Sequence, residues 1–338
     1  MFRLFSPNLA IDLGTANTLF YETGTGVVLN EPSMVALSYF EGKQEIVAIG
    51  AEAKQMLGRT PEGVDVIRPI RTGVIADFDV ASKMIKYFLN SVRKKKASLV
   101  RPSHIIVGVP SGITEVEKRA IKDALEGEAR DIKLIDEAMA AAIGCDLPVT
   151  EAIASMIVDI GGGTTDIAVI SLSDIVYSTS IRQGGDAMDE AIINYIRRKH
   201  RILIGESTAE LIKMTIGSAH KTYDNQQVEV RGRDLSTGVP GTIIISGIEI
   251  REAIFEVVSN IIEAIKQVLE NTPPELSGDI LSHGISFAGG GSLIRGLDKK
   301  VTEILDIKAN IAKDPLSMVV TGIGKCLEEP KLYKNVFL

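Results

Sequence analysis

Apolar residues along this chain fall into two rhythms: short β-branched runs closed by glycine, and longer stretches with a helical period. Residues 156–170 read Met-Ile-Val-Asp-Ile-Gly-Gly-Gly-Thr-Thr-Asp-Ile-Ala-Val-Ile, two apolar runs around three glycines, which predicts strand, tight turn, strand. Residues 9–18, Leu-Ala-Ile-Asp-Leu-Gly-Thr-Ala-Asn-Thr, repeat that order and lead into Leu19-Phe20-Tyr21. Further strands are expected at 104–110, 132–135, 174–182 and from Ile285.

Helical spacing appears at 79–92, with Val80, Met84, Tyr87, Phe88 and Val92 on one face. Thr114 and Glu117 make a capping box before a face of Val116, Ala120, Ile121, Ala124 and Leu125; Ser246 and Glu249 make another before a helix ending near Asn271. Small residues at 138–144, the face Met188, Ile192, Ile193 and Ile196, and residues 316–327 give three more helices. Two stretches break the rhythm and read as inserts, 39–73 with a short helix at 51–57, and 205–242, polar and glycine-rich around 206–217.

Composition narrows the class. At 338 residues, with 45% hydrophobic and 24% charged, the chain is globular and long enough for two domains. A net charge of −7 argues against nucleic acid as a partner. Cys145 and Cys326 lie far apart, outside any zinc-ligand spacing, and fit a reducing cytoplasm as inert thiols. No apolar run has the length of a transmembrane helix.

The candidate chemistry lies at the glycine turns. Asp12 and Gly14 in the first turn, and Asp159 with Gly161, Gly162 and Gly163 in the second, place a carboxylate beside backbone that can approach a phosphate, with Thr164 and Thr165 as donors in the second and hydroxyl residues at the same place in the first. A hairpin whose glycines serve only the turn reads the same way, but two copies suggest a duplicated fold with phosphate between them. Gly289, Gly290 and Gly291 follow a third strand and suit a nucleoside or phosphate at a helix start. Asp136 and Glu137 end a strand just before a helix, a position for chemistry and also for an N-cap. Neither Gly-x4-Gly-Lys-Ser/Thr nor a strand-borne Gly-x-Gly-x2-Gly is present, which removes P-loop and dinucleotide folds.

Two Asp-x-Gly hairpins across a cleft with a third glycine cluster resemble the actin, Hsp70 and sugar-kinase superfamily. Within it, residues 10–18, 29–33 (Leu-Asn-Glu-Pro-Ser), 53–61 (Ala-Lys-Gln-Met-Leu-Gly-Arg-Thr-Pro), 73–78 (Gly-Val-Ile-Ala-Asp-Phe) and 289–298 resemble the MreB family, the bacterial actins of cell shape. The resemblance spans nearly the whole chain.

It implies an α/β, actin-like ATPase fold: two duplicated domains, each a mixed sheet with flanking helices, forming four subdomains around a nucleotide cleft. Domain I would hold residues 1–145 and 313–338 with an insert at about 34–73. Domain II would hold 146–312 with an insert at about 184–245.

By the same resemblance, Asp12 and Asp159 serve Mg²⁺, mainly through water, and Gly14, Thr15, Ala16, Asn17, Gly161, Gly162, Gly163 and Thr164 hold the phosphates of ATP. Glu137 is the catalytic acid, and Thr164 senses the γ-phosphate. Glu210 and Lys213 hold ribose and adenine, opposite Gly289, Gly290 and Gly291. Where the family reads Asp-Glu-Pro this chain has Asp136-Glu137-Ala138, which gives up proline's fixed φ beside Glu137.

The implied activity is slow ATP hydrolysis coupled to filament assembly, hinging near 138–144 and 316–327. The implied partners are further copies of the chain, the inner face of the cytoplasmic membrane and wall-elongation membrane proteins. Phe2, Leu4 and Phe5, and Leu99 and Val100 between Arg93-Lys94-Lys95-Lys96 and Arg101, read either as ordinary packing and solvated charge or as membrane contacts. A sugar kinase of the same superfold, an Hsp70-like chaperone and a bacterial actin for plasmid partition or division are the alternatives.

Overall fold

Leu9, Ile11 and Leu13 alternate with Ala10 on a strand whose two faces are both buried, and this strand seeds the first of two matching sheets. The computed structural model describes residues 8–40, 43–95 and 101–338. In chain order the first half runs β1 (Leu9–Leu13), β2 (Asn17–Glu22), β3 (Gly26–Pro32), β4 (Val35–Phe40), β5 (Lys43–Ile49), α1 (Ala51–Met56), β6 (Val64–Ile67), β7 (Ile70–Arg71), β8 (Val74–Ile75), α2 (Phe78–Lys95), β9 (His104–Val109), α3 (Glu115–Ala124), β10 (Asp131–Asp136) and α4 (Glu137–Gly144).

The second half runs β11 (Ser155–Ile160), β12 (Thr165–Ser171), β13 (Asp174–Ile181), α5 (Gly185–His200), β14 (Ile202–Leu203), α6 (Glu206–Ile216), β15 (Gln227–Asp234), β16 (Pro240–Ser246), α7 (Gly247–Glu270), α8 (Pro274–His283), β17 (Ile285–Ala288), α9 (Leu297–Leu305), β18 (Ala309–Ile311) and α10 (Met318–Glu328).

The sheets repeat one plan. Order β3-β2-β1-β9-β10 in the first becomes β13-β12-β11-β17-β18 in the second, each with an antiparallel meander on one side and parallel strands on the other. Register makes the match exact to the residue: Asp12 lies opposite Gly108 on the parallel neighbour, and Asp159 lies opposite Ala288.

Helices α4 and α10 lie between the two sheets. Every residue of α4 is buried, and one apolar cluster joins Ala10, Leu19 and Ile106 of the first sheet, Ile157, Ala168 and Ile170 of the second, and both helices. The backbones meet so closely that a Cβ on Gly322 would collide with the Ala140 carbonyl, and one on Gly144 with that of Met318. Lys325 then donates to the Ile143 and Gly144 carbonyls at 3.1 Å each, satisfying the end of α4.

Both capping boxes are present, Thr114 with Glu117 and Ser246 with Glu249. Three expectations change. Val116 is 79% and Tyr87 50% exposed, so each lies off its helix's buried face. Residues 39–73 hold the strands β5 and β6, which flank β4 in a three-stranded sheet, besides α1. Residues 206–216 form the helix α6, which buries Ala209, Ile212 and Ile216, beside the sheet β14-β15-β16.

Candidate functional site

The two Asp-x-Gly turns face each other at the ends of β1 and β11. The space a Cβ on Gly162 would need is occupied by Ala16, 2.7 Å away, and that of Gly163 by Thr15 Oγ1 at 2.8 Å, so only glycine lets the loops close this far. The first loop is stitched from outside: Ser33 Oγ donates to Gly14 O at 2.6 Å, and Gly73 N donates to Thr15 Oγ1 at 3.0 Å. The second is fixed by Gly185 N and Asp186 N at the start of α5, which donate to the Gly161 and Gly162 carbonyls. Gly289, at φ +76°, packs against Asp159 and Ile160.

Five carboxylates converge behind these loops: Asp12, Asp136, Glu137, Asp159 and Asp166. Burial pushes Asp12 up to about 7. Burial, then the charges of Asp166, Asp12, Asp159 and Asp136, hold Glu137 well above the ordinary carboxylate range. Asp159 is raised well above its usual value by burial and by Asp166 and Asp12. Asp166, 1% exposed, reaches about 6 through burial, against hydrogen bonds from Ser180, Thr164 and Ser111.

Asp159 Oδ1 is buried and has no hydrogen-bond partner. A concentrated set of acids with an unsatisfied oxygen calls for a cation. Among the described residues no three His, Cys, Asp or Glu side chains form a metal site on their own. That donor set fits Mg²⁺, which takes one or two carboxylates and completes its shell with water and substrate phosphate. Asp12 and Asp159 are the residues that would hold it.

Asp136 also settles how α4 begins without proline. Its Oδ1 accepts the Ala138 and Met139 N–H groups at 2.9 and 3.4 Å, and the first of these is a bond proline at 138 could not make. The turn under Glu137 is held by an N-cap in place of a fixed φ.

The structure brings Asp12, Gly14, Thr15, Ala16, Asp159, Gly161, Gly162, Gly163, Thr164 and Glu137 to one place. Asn17 stands just outside, its amide on Asn30 Oδ1 at 2.7 Å. Lys213 is tied inward, to Gly185 O at 2.9 Å and Asp189 at 2.8 Å, under the second loop. Glu210 instead faces across the cleft to Lys54 at 2.8 Å, and Glu206 likewise meets Arg68 at 2.9 Å.

Beside those bridges, at the ends of α1 and α6, lies a cavity of about 830 Å³ lined by Pro32, Leu57, Ile193, Ile204, Glu206 and Thr208, and by none of the five buried carboxylates. Phe2, Leu4, Phe5, Leu99 and Val100 lie outside the described residues. Asp166 and Ser111 were missed by sequence reasoning. A charged residue inside the otherwise apolar run 166–170 was the available signal.

Two duplicated halves with matched acids and glycine loops across one cleft define an actin-like protein. Its resemblance to solved structures agrees: MreB5 of Spiroplasma citri bound to ADP superposes with TM-score 0.90 at 38% identity, over 98% of each chain. The same protein bound to AMPPNP gives 0.91 at 37% identity, over 99% of each. The model of the family described as MreB/Mbl protein matches residues 6–335, and the chain belongs to that family.

The cell shape-determining protein MreB of Escherichia coli (strain K12) is 51% identical over 96% of this chain and 94% of its own length. The cell shape-determining protein Mbl of Bacillus subtilis (strain 168) is 44% identical over 96% and 97%. No helix among the described residues is long and apolar enough to cross a membrane.

Proposed function

We propose that this chain binds and slowly hydrolyses ATP with Mg²⁺, assembles into filaments of its own copies, and lies on the inner face of the cytoplasmic membrane, where it organises wall synthesis for rod shape. The observation that carries the nucleotide reading is the buried acid cluster between two glycine loops, with Asp159 Oδ1 unpaired. Relatives named for cell-shape determination, and a relative solved with ADP and with AMPPNP, support it.

Backbone N–H groups of both loops, with Thr15 and Thr164, hold the phosphates. Asp12 and Asp159 are the residues that would hold Mg²⁺, which would supply positive charge against the phosphates. Glu137 aligns a water and takes its proton as the water oxygen bonds to the γ-phosphorus and the bond to the β-phosphate oxygen breaks, leaving ADP and phosphate. Glu210 and Lys213 serve the nucleoside side.

Pelleting with electron microscopy, with and without Mg-ATP and anionic liposomes, tests the whole reading. ATP-dependent polymer that sediments with lipid is expected, with lipid binding reduced in Leu99→Ser, Val100→Ser. ATP turnover that rises with an acceptor sugar, with no polymer at any concentration, would instead mark a small-molecule kinase.

A further inference from the structure

We infer that Asp166 and Ser111 form a latch between the two halves that positions Glu137, an inference resting on the hydrolytic reading above. Asp166 lies on β12, a strand buried from end to end. Its own position is paired on both sides, with Asp159 of β11 and Ser180 of β13, so the strand needs no carboxylate to hold its place. An apolar residue would be the easier occupant of so dry a position.

What the carboxylate does is reach the other half. Asp166 Oδ1 accepts the N–H of Ser111, in the turn between β9 and α3, at 3.3 Å. Ser111 Oγ donates to Asp136 Oδ2 at 2.8 Å. The other oxygen of Asp136 caps Ala138 and Met139, the first turn of α4, whose first residue is Glu137. A hydrogen-bonded chain therefore runs from the second sheet, through Ser111 and Asp136, to the backbone that aims Glu137.

Thr164 of the second glycine loop also bonds Asp166, so the chain begins in the loop proposed to hold the phosphates. The Ser111–Asp166 bond is near the outer limit of hydrogen bonding, and a separation of the halves by a few tenths of an ångström breaks it. Glu137 is thus held from both halves only when the cleft is closed. Asp166 and Ser111 are positioning residues.

The test uses the full chain in single-turnover hydrolysis of saturating Mg-ATP, with affinity for a fluorescent non-hydrolysable ATP analogue and melting temperature measured in parallel. Ser111→Ala and Asp166→Ala should keep affinity within about twofold yet cleave at least about tenfold more slowly, the scale of a displaced catalytic group. Ser111→Thr restores the hydroxyl and Asp166→Asn keeps an acceptor, and each should cleave faster than the matching alanine variant. Parent-like cleavage by Ser111→Ala, a deficit confined to affinity, or Asp166→Asn as slow as Asp166→Ala would each overturn the latch alone. A parent chain without turnover overturns the hydrolytic reading and the latch together.

Discussion

Asp159 shows how a single residue at this site is set by its surroundings. It lies one residue from the end of a strand with both faces covered, packs against Gly289, and faces Asp166 across the β11–β12 ladder, so burial and a like charge both disfavour its ionised form. The sign of the pH effect follows. Asp12, Asp159, Asp166 and Glu137 all bind protons more tightly folded than unfolded. Their contribution to stability is therefore full below the unfolded carboxylate values near 4 and is lost as pH rises through the folded values, about 6 for Asp166 and about 7 for Asp12.

Nucleotide-free protein should accordingly melt at lower temperature at pH 8 than at pH 6. Under the proposed function Mg-ADP needs the acids ionised, and it should raise the melting temperature more at pH 8. Thermal melts at the two pH values check this, and an equal ligand shift at both would contradict it.

At this scale the sequence disclosed the acids that sit beside glycine, because glycine marks turns. It hid Ser111 and Ser33, lone hydroxyls in short turns whose partners are far along the chain.

Among the elements, α4 and α10 give the clearest contrast between propensity and packing. Gly322 is inside a helix, where alanine is intrinsically better by about 1 kcal/mol. Its missing Cβ faces the Ala140 carbonyl, backbone that cannot yield, so Gly322→Ala should destabilise by about 1–3 kcal/mol. Gly278, in α8 with nothing near its Cβ position, should gain from the same change by about 0.5–1 kcal/mol. Denaturant melts of the two variants should move in opposite directions.

Capped elements were the legible ones, since Thr114 with Glu117 and Ser246 with Glu249 announce their helices locally. α6 was not, because Leu211 and Met214 are 62% and 71% exposed and put apolar residues on both faces of the helix, which blurs its period. The strands of the 39–73 insert were hidden for a related reason. β5 is exposed along most of its length and shows little alternation.

For the whole molecule, duplication was readable from the two loops alone, while the meeting of the halves was not. The bridges Lys54–Glu210 and Arg68–Glu206 join residues more than a hundred positions apart and leave no local trace. Such partly exposed pairs add little to stability, about 0–1 kcal/mol each. Their leverage is on opening. Arg68→Glu should speed release of a fluorescent nucleotide by about two- to fivefold, the kinetic equivalent of that energy. Adding Glu206→Arg should recover part of the loss, because the new cation stands at the start of α6, where the helix dipole opposes it. A stopped-flow chase measures both.

The contact of α4 with α10 has a mechanical consequence. Two helices whose backbones meet at Gly144, Gly322 and Ala140, with Lys325 of one tied to the end of the other, resist separation. In the proposed ATPase cycle they would form a fulcrum between the two sheets, through which a small shift at Thr164 would reach the rims at Arg68 and Glu206.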